Sequence, residues 1–213
     1  MNYNSQAKAY KRDMTCVNIS AYKDIDDTPL LVLVDLQREY LCADRRLGLH
    51  APEAAIKNCT VLVEWARSCR IPIAFVRWTQ PGKLFSRGGD FSGWIEPCTP
   101  SGSDMIFERA WPSCYASAEF AQMMDNGGGR NAILAGFTGS MACLATVVDG
   151  AQRQHRFTFV SDASLSHPIR DHGQLQVHTM ATLLISQFAH VVQTSSLLTE
   201  NADVSTMPEQ YAG

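Results

Sequence analysis

The sequence predicts a doubly wound α/β fold with right-handed crossovers, and two observations carry that prediction. Apolar runs such as TPLLVLVDL (28–36), IPIAFVRW (71–78) and NAILAGF (131–137) are continuous, not alternating, as in strands covered on both faces. Between the strands lie longer segments with apolar residues at helical spacing, so strand and helix alternate about five times along the chain.

Each element follows from its own residues. Residues 1–27 are polar and aperiodic and read as an arm in front of the domain at 28–198, with 199–213 as a C-terminal tail. The first strand, 28–36, holds an aspartate near its end. APEAAIKNCTVLVEWARSCR (51–70) has Pro52 near its start and acids early, both helix-start signals, and leads into strand 71–78. The stretch 79–103 is rich in Gly, Ser and Pro and reads as a long functional loop. DMIFER (104–109) is a short strand, and YASAEFAQMMDN (115–126) is a helix ended by the glycines at 127–129. NAILAGF is the next strand, SMACLATVVDGAQRQ (140–154) a helix and RFTFVSDA (156–163) a strand. HGQLQVHTMATLLISQFA (172–189) is a helix, and HVVQT (190–194) closes the set.

Bulk properties exclude several functions. A chain of 213 residues suits one domain with a sizeable core, and a net charge of -3 leaves no electrostatic footprint for nucleic acid or an acidic membrane. No window reaches 18 continuous apolar residues, and MNYNSQAKAYKRDMTC at the start has no apolar signal core. A cytoplasmic protein is therefore expected, and in that reducing compartment the 7 cysteines, which include no C-x-x-C pair, read as free thiols. The 6 histidines are scattered without ligand spacing. The expected partner is a small molecule, with no metal, cofactor, nucleic acid or membrane.

In doubly wound sheets ligands bind at the carboxyl ends of the strands. Those ends carry Asp35, Trp78 to Gln80, Arg109 and the turn at 136–142. Asp35 is either a helix N-cap or a site carboxyl whose burial raises its pKa toward proton transfer. Arg109 is either a surface cation or a clamp for Asp35 and an anionic substrate. GFTGSMACLATVVDG (136–150) has two early glycines, Ser140 as a candidate N-cap, and a turn whose backbone N–H groups suit an oxyanion. Cys143 in the helix's first turn is either a packing residue or an activated thiol.

Together these pieces resemble the isochorismatase-like hydrolases, a superfamily of isochorismatases, nicotinamidases and related amidases. The carriers are LLVLVDLQREYL, FSGWIEP, ERAWPSCYASAEF, LAGFTGSMACLATVVDG, FTFVSDAS and HTMATLLISQFAHVVQT, in that order. The resemblance implies a Rossmann-like αβα fold with a six-stranded, mostly parallel sheet, often in homodimers or homotetramers. Amidases of the family use Asp, Lys and Cys. Asp35 matches the first, whereas Arg109 stands at the lysine position and cannot shuttle a proton. In the cysteine-using members the nucleophile lies six residues after the turn's first glycine, four before a helix threonine and seven before an aspartate. Counted from Gly136, Thr146 and Asp149, all three give Ala142, one residue before Cys143.

One helical residue rotates a side chain by about 100°, so Cys143 reaches the pocket only through a local bulge. Some isochorismatases also have a small residue followed by Cys here, and TQPG resembles their substrate loop. The resemblance therefore puts Gln37, Trp78, Gln80, Thr138 and Ala142 around the substrate. Three readings stay open: non-covalent vinyl-ether hydrolysis with Asp35 as general acid, a cysteine amidohydrolase using Cys143, and an inactive member that binds a small ligand or protein.

Overall fold

The computed structural model describes residues 29–42, 44–86, 88–128 and 131–205. The arm at 1–27 and the end of the expected tail, 206–213, lie outside the described residues. Six strands form one parallel sheet: β1 (Leu30–Val34), β2 (Ile73–Trp78), β3 (Met105–Arg109), β4 (Asn131–Phe137), β5 (Arg156–Leu165) and β6 (His190–Val192). Their order is β3-β2-β1-β4-β5-β6. The α-helices are α1 (Glu53–Ser68), α2 (Ala118–Met123), α3 (Leu144–Gln152), α4 (Gln174–Ile185) and α5 (Thr194–Ser205).

Two cores explain why the strand runs do not alternate. Leu31, Leu33, Phe75 and Ile133 pack with Cys59, Leu62 and Ala66 of α1 and Leu197 of α5. Leu30, Val32, Val34 and Val76 face the other way, against Phe120 of α2, Val147 of α3 and Ile185 of α4. Both sets are excluded from water, so every position of β1 gains from being apolar, roughly 1.5–3 kcal/mol for each large side chain.

The strand order reverses between β1 and β4, opening a crevice at their carboxyl ends. The two strands approach closely there because residue 136 is glycine. Its φ is +110°, and a Cβ at that position would lie 2.1 Å from the Val34 carbonyl oxygen. Beyond β1 a short 3-10 turn, Arg38–Leu41, which the sequence patterns do not signal, carries Tyr40 back over the sheet.

The 79–103 loop is fastened to this turn. Arg38 N–H donates to the Gly93 carbonyl at 2.9 Å, and Ile95 N–H donates to the Leu36 carbonyl at 2.8 Å. The Arg45 guanidinium grips buried Glu39 through two bonds of 2.6 and 3.0 Å, donates to the Lys83 carbonyl and covers the Phe91 ring at 4.1 Å.

Several boundaries differ from the sequence expectation. The helix expected at 115–126 starts only after Ser117, whose hydroxyl accepts the Phe120 N–H, and it widens into a π turn at Met124–Gly128. β5 runs two residues further, to Leu165, while the helix expected at 172–189 shortens to Gln174–Ile185. The last strand stops at Val192, and α5 replaces the start of the expected tail. The cause is tertiary: Asp162 on β5 accepts bonds of 2.8 Å from both the amide and the hydroxyl of Thr194, fixing the helix start, and Leu197 is buried.

Gly136→Ala should destabilise the protein by at least about 3 kcal/mol, from overpacking added to a forbidden backbone angle. Urea unfolding checks this, and a loss under about 0.5 kcal/mol would contradict the β1–β4 contact described.

Candidate active site

The carboxyl ends of β1 and β3 bring Asp35 and Arg109 together. Both side chains are buried, and Arg109 Nη2 donates to Asp35 Oδ2 at 2.6 Å. Asp35 sits in the left-handed region at φ 49°, a conformation costing about 1 kcal/mol or more for a residue other than glycine. Its backbone N–H donates to the Val76 carbonyl at 2.8 Å, so the bend that ends β1 also fixes the carboxyl. Burial pushes the Asp35 pKa up to about 6, against the opposing pull of Arg109. For Arg109, burial works against the charge, and Asp35, together with nearby Cys114 and Tyr40, raises the pKa. Arg109 Nη1 donates to the Trp111 carbonyl at 2.7 Å, and the guanidinium lies 4.9 Å from the centre of the Trp78 ring.

Aromatic rings wall the site. Trp78 stacks on Phe85 at 5.9 Å, and Tyr40 contacts Phe85, Phe137 and His167 at 5.5–5.6 Å. Among these walls lie buried polar atoms without a hydrogen-bond partner: Asp35 Oδ1, the Tyr40 hydroxyl, Arg109 Nε, Thr138 Oγ1, Ser164 Oγ and both nitrogens of His167. The Tyr40 hydroxyl is near enough to lower the Asp35 pKa, yet the two are not in hydrogen-bond geometry. Each such atom costs about 1–3 kcal/mol, so a cluster of them marks a place where a ligand or water completes the bonding.

The turn after β4 holds the remaining candidates. Gly139–Cys143 forms a π turn before α3, so the bulge that could carry Cys143 toward the pocket is present. Thr138, and not the expected Ser140, occupies the N-cap position. Its carbonyl accepts from Met141 and Cys143, while Ser140 N–H donates to Ser166 Oγ at 3.0 Å. Ser166 in turn bonds His178 Nδ1 at 3.3 Å, and His178 Nε2–H donates to the Ser161 carbonyl at 3.0 Å. Ala142 and Cys143 are both fully buried. The Cys143 thiol packs 3.8 Å from the Gly136 carbonyl, and burial, with Cys114 nearby, pushes its pKa well above the usual thiol range. Asp35 and Arg109 both lie within electrostatic reach of it.

Of the residues expected around a substrate, Trp78 lines the site with its ring. Gln80 accepts from Trp78 Nε1 at 3.1 Å, and Thr138 and Ala142 lie on the turn. Gln37 also serves the scaffold: its amide donates both N–H groups, to the carbonyls of Trp78 and Ser92 at 3.0 and 3.1 Å, and its oxygen accepts the Trp78 N–H at 2.9 Å, so it braces the loop to β2 and keeps one oxygen lone pair for a further donor. Tyr40, Phe85, Ser164 and His167 were not anticipated. The strand-end rule that singled out Asp35 also covers Ser164 and His167 at the end of β5, whereas nothing in the local pattern marks Tyr40 or Phe85.

Comparison with known proteins places the fold in a family. Residues 29–196 match the isochorismatase domain family. Over 136 residues the chain is 26% identical to a secreted isochorismatase effector, Isc1, of Verticillium dahliae, covering 63% of this chain and 70% of that protein. An isochorismatase structure from Pseudomonas putida superimposes with TM-score 0.74 at 25% identity, over 79% of this chain and 89% of that one. The N-carbamoylsarcosine amidase of Thermoplasma acidophilum shares the fold at TM-score 0.65 and 20% identity, over 78% and 96% of the two chains. No helix among the described residues is long and apolar enough to cross a membrane. With the six-stranded parallel sheet and the family match over most of its length, this chain belongs to the isochorismatase family of hydrolases.

Proposed function

We propose that the protein hydrolyses the vinyl ether of a small anionic substrate such as isochorismate, without a covalent intermediate. The observation that carries this reading is a buried carboxyl with a raised pKa and one unpartnered oxygen, held by an arginine, beside a turn with alanine at the nucleophile position. Protonated Asp35 gives its proton to the methylene carbon of the enol ether. Water adds to the resulting oxocarbenium carbon and returns a proton to Asp35. The hemiketal then collapses, breaking the carbon–oxygen bond and releasing an alcohol and a keto acid. Arg109 clamps a substrate carboxylate and stays charged throughout. Gln80 and Trp78 orient the substrate, and Thr138 and Ala142 lend backbone N–H groups.

One observation favours a second reading, a cysteine amidohydrolase: the π turn supplies the bulge that Cys143 needs. Against it stands a thiol that is fully buried and held in its neutral form, which is a poor nucleophile. The proposal extends to a homodimer or homotetramer, supported by the exposed Leu175, Met180, Leu183 and Leu184 of α4. It also includes a cytoplasmic setting, which suits the free thiols of the described cysteines, although the Verticillium dahliae relative is secreted.

Asp35→Asn should lower turnover of isochorismate by about 100-fold or more, while Cys143→Ser changes it by less than about threefold. A folded Cys143→Ser protein without activity would sink the non-covalent reading. In the parent, activity should fall as pH rises through about 6, where Asp35 loses its proton.

Stability should move the same way. The folded pKa of about 6 exceeds the ordinary 3.8, so the folded state binds the proton more tightly. Stability is then lost as pH rises from about 4 to about 6. Relative to the parent, Asp35→Asn should gain up to ~3 kcal/mol between pH 4 and 7, read from urea midpoints at each pH. A gap that does not change with pH would show that Asp35 is not perturbed.

Limiting alkylation across pH 5 to 9, with the modified cysteine mapped by mass spectrometry, separates the two chemistries. Slow labelling of Cys143 is expected, and fast labelling with a midpoint well under about 8.5 would favour the amidohydrolase.

A further inference from the structure

The proposed chemistry needs the turn after β4 to aim its backbone N–H groups at the substrate. Thr138 occupies the N-cap position without a side-chain cap bond, and a π turn is a wider and rarer path than an α-helical one. The turn is held from beneath instead. Ser140 N–H donates to Ser166 Oγ at 3.0 Å, across 26 residues of chain, and Ser166 Oγ lies 3.3 Å from Nδ1 of His178 on α4. Ser166 is fully buried and His178 half-buried.

The direction of each bond in this chain follows from its far end. β6 pairs with β5 only as far as Val160, and His178 Nε2 meets the next carbonyl, that of Ser161, at 3.0 Å. A carbonyl only accepts, so Nε2 carries the proton. Burial lowers the His178 pKa against the pull of the Ser161 carbonyl, so the ring is neutral and Nδ1 is an acceptor. Ser166 O–H therefore donates to Nδ1, and its oxygen accepts from Ser140. One imidazole ties an edge carbonyl of β5 to an amide of the turn.

The packing leaves this brace no slack. A Cβ on Gly139 would lie 3.2 Å from His178 Nδ1, Ser164 Oγ and Ser166 Oγ, so the backbone of the turn rests on three polar atoms. Three residues after Ser140, the Cys143 side chain is fully buried with its sulfur against the Gly136 carbonyl. A turn pinned at Ser140 keeps that thiol inward, and a turn released there is free to rotate it.

We propose that His178, acting through Ser166, is a positioning residue that pins the turn after β4, holding the Thr138 and Ala142 N–H groups in place for substrate and keeping the Cys143 thiol sheathed. The substrate half of this statement rests on the hydrolase reading, whereas the sheathing of Cys143 does not. His178 touches no substrate and transfers no proton.

The first readout needs no substrate. Native protein is alkylated with limiting reagent at pH about 8, and mass spectrometry gives the rate at Cys143 and, on the opposite face of the sheet, at buried Cys59 and Cys98. The variants are Ser166→Ala, His178→Gln and His178→Asn. His178→Asn places an amide oxygen near the Nδ1 position and can accept from Ser166, while His178→Gln reaches the Ser161 carbonyl and leaves Ser166 without its acceptor. Ser166→Ala and His178→Gln should label Cys143 at least about tenfold faster than the parent and leave Cys59 and Cys98 within about twofold, because the opening is local. His178→Asn should return Cys143 to within about threefold of the parent. Fast Cys143 labelling in the parent, no gain in His178→Gln, an equal gain at Cys59 and Cys98, or equal rates in His178→Gln and His178→Asn would overturn the brace. If Ser166→Ala does not fold, the two His178 variants decide. In turnover, His178→Gln should lower kcat for isochorismate by at least about fivefold, and His178→Asn should recover part of that loss. A parent inert toward isochorismate that shows the labelling contrast would end the hydrolase reading and keep the brace. An active parent without the contrast would do the reverse.

Discussion

The ion pair between Asp35 and Arg109 is the interaction on which the rest of the site depends. Both groups are out of water, and removing two charges from solvent is expensive enough that such a pair is weak evidence for stability. What the pair does is set a protonation state. Burial raises the carboxyl's pKa, and Arg109 keeps it from rising further, so Asp35 titrates near 6, in a range where a carboxylic acid can give and recover a proton. A lysine in place of Arg109 would be a second group able to exchange protons. An arginine leaves that task to Asp35 alone and offers a fork for a planar anion. The left-handed bend at Asp35 and its hydrogen bond to Val76 hold the carboxyl at the carboxyl end of β1 against the conformational cost.

The fold was legible because its physics is local to each strand. A run such as Leu30–Val34 is apolar at every position only if both faces are covered, and the two cores on opposite sides of the sheet are that covering. Boundaries were less legible where a distant partner decides them. The end of β6 and the start of α5 depend on Asp162, 32 residues before the Thr194 it caps, and no pattern within 190–205 contains that information. Exchanging a loose tail for a helix is the consequence.

The same division runs through the site. Asp35 and Arg109 could be found from strand ends alone, since topology brings strand ends together. The bracing role of Gln37 is not legible in the sequence, because it lies in bonds to residues 41 and 55 positions away that make the side chain a strut under the 79–103 loop. Tyr40 could not be found because the short turn that carries it back over the sheet has no periodicity to read. His167 lay within reach of the strand-end rule, but its significance rests on two missing hydrogen bonds, a property that only coordinates reveal.

The turn after β4 shows how sequence counting and geometry constrain each other. Counting from Gly136, Thr146 and Asp149 puts Ala142 in the nucleophile position, and the π turn supplies the bulge that could undo the count. Both can hold at once, because a π turn changes where a residue points without opening space around it. Gly139 admits this crowding: a Cβ there would come within 3.2 Å of Ser164, Ser166 and His178, the groups packed beneath the turn. Cys143 therefore enters a packed environment, with its sulfur against the Gly136 carbonyl and its ionisation opposed by burial. A reactive thiol needs an approach path and a stabilised anion, and the bulge provides neither by itself. Around the site the unpartnered polar atoms lie on Asp35, Tyr40, Arg109, Thr138, Ser164 and His167, and those residues carry the bonding capacity for a substrate.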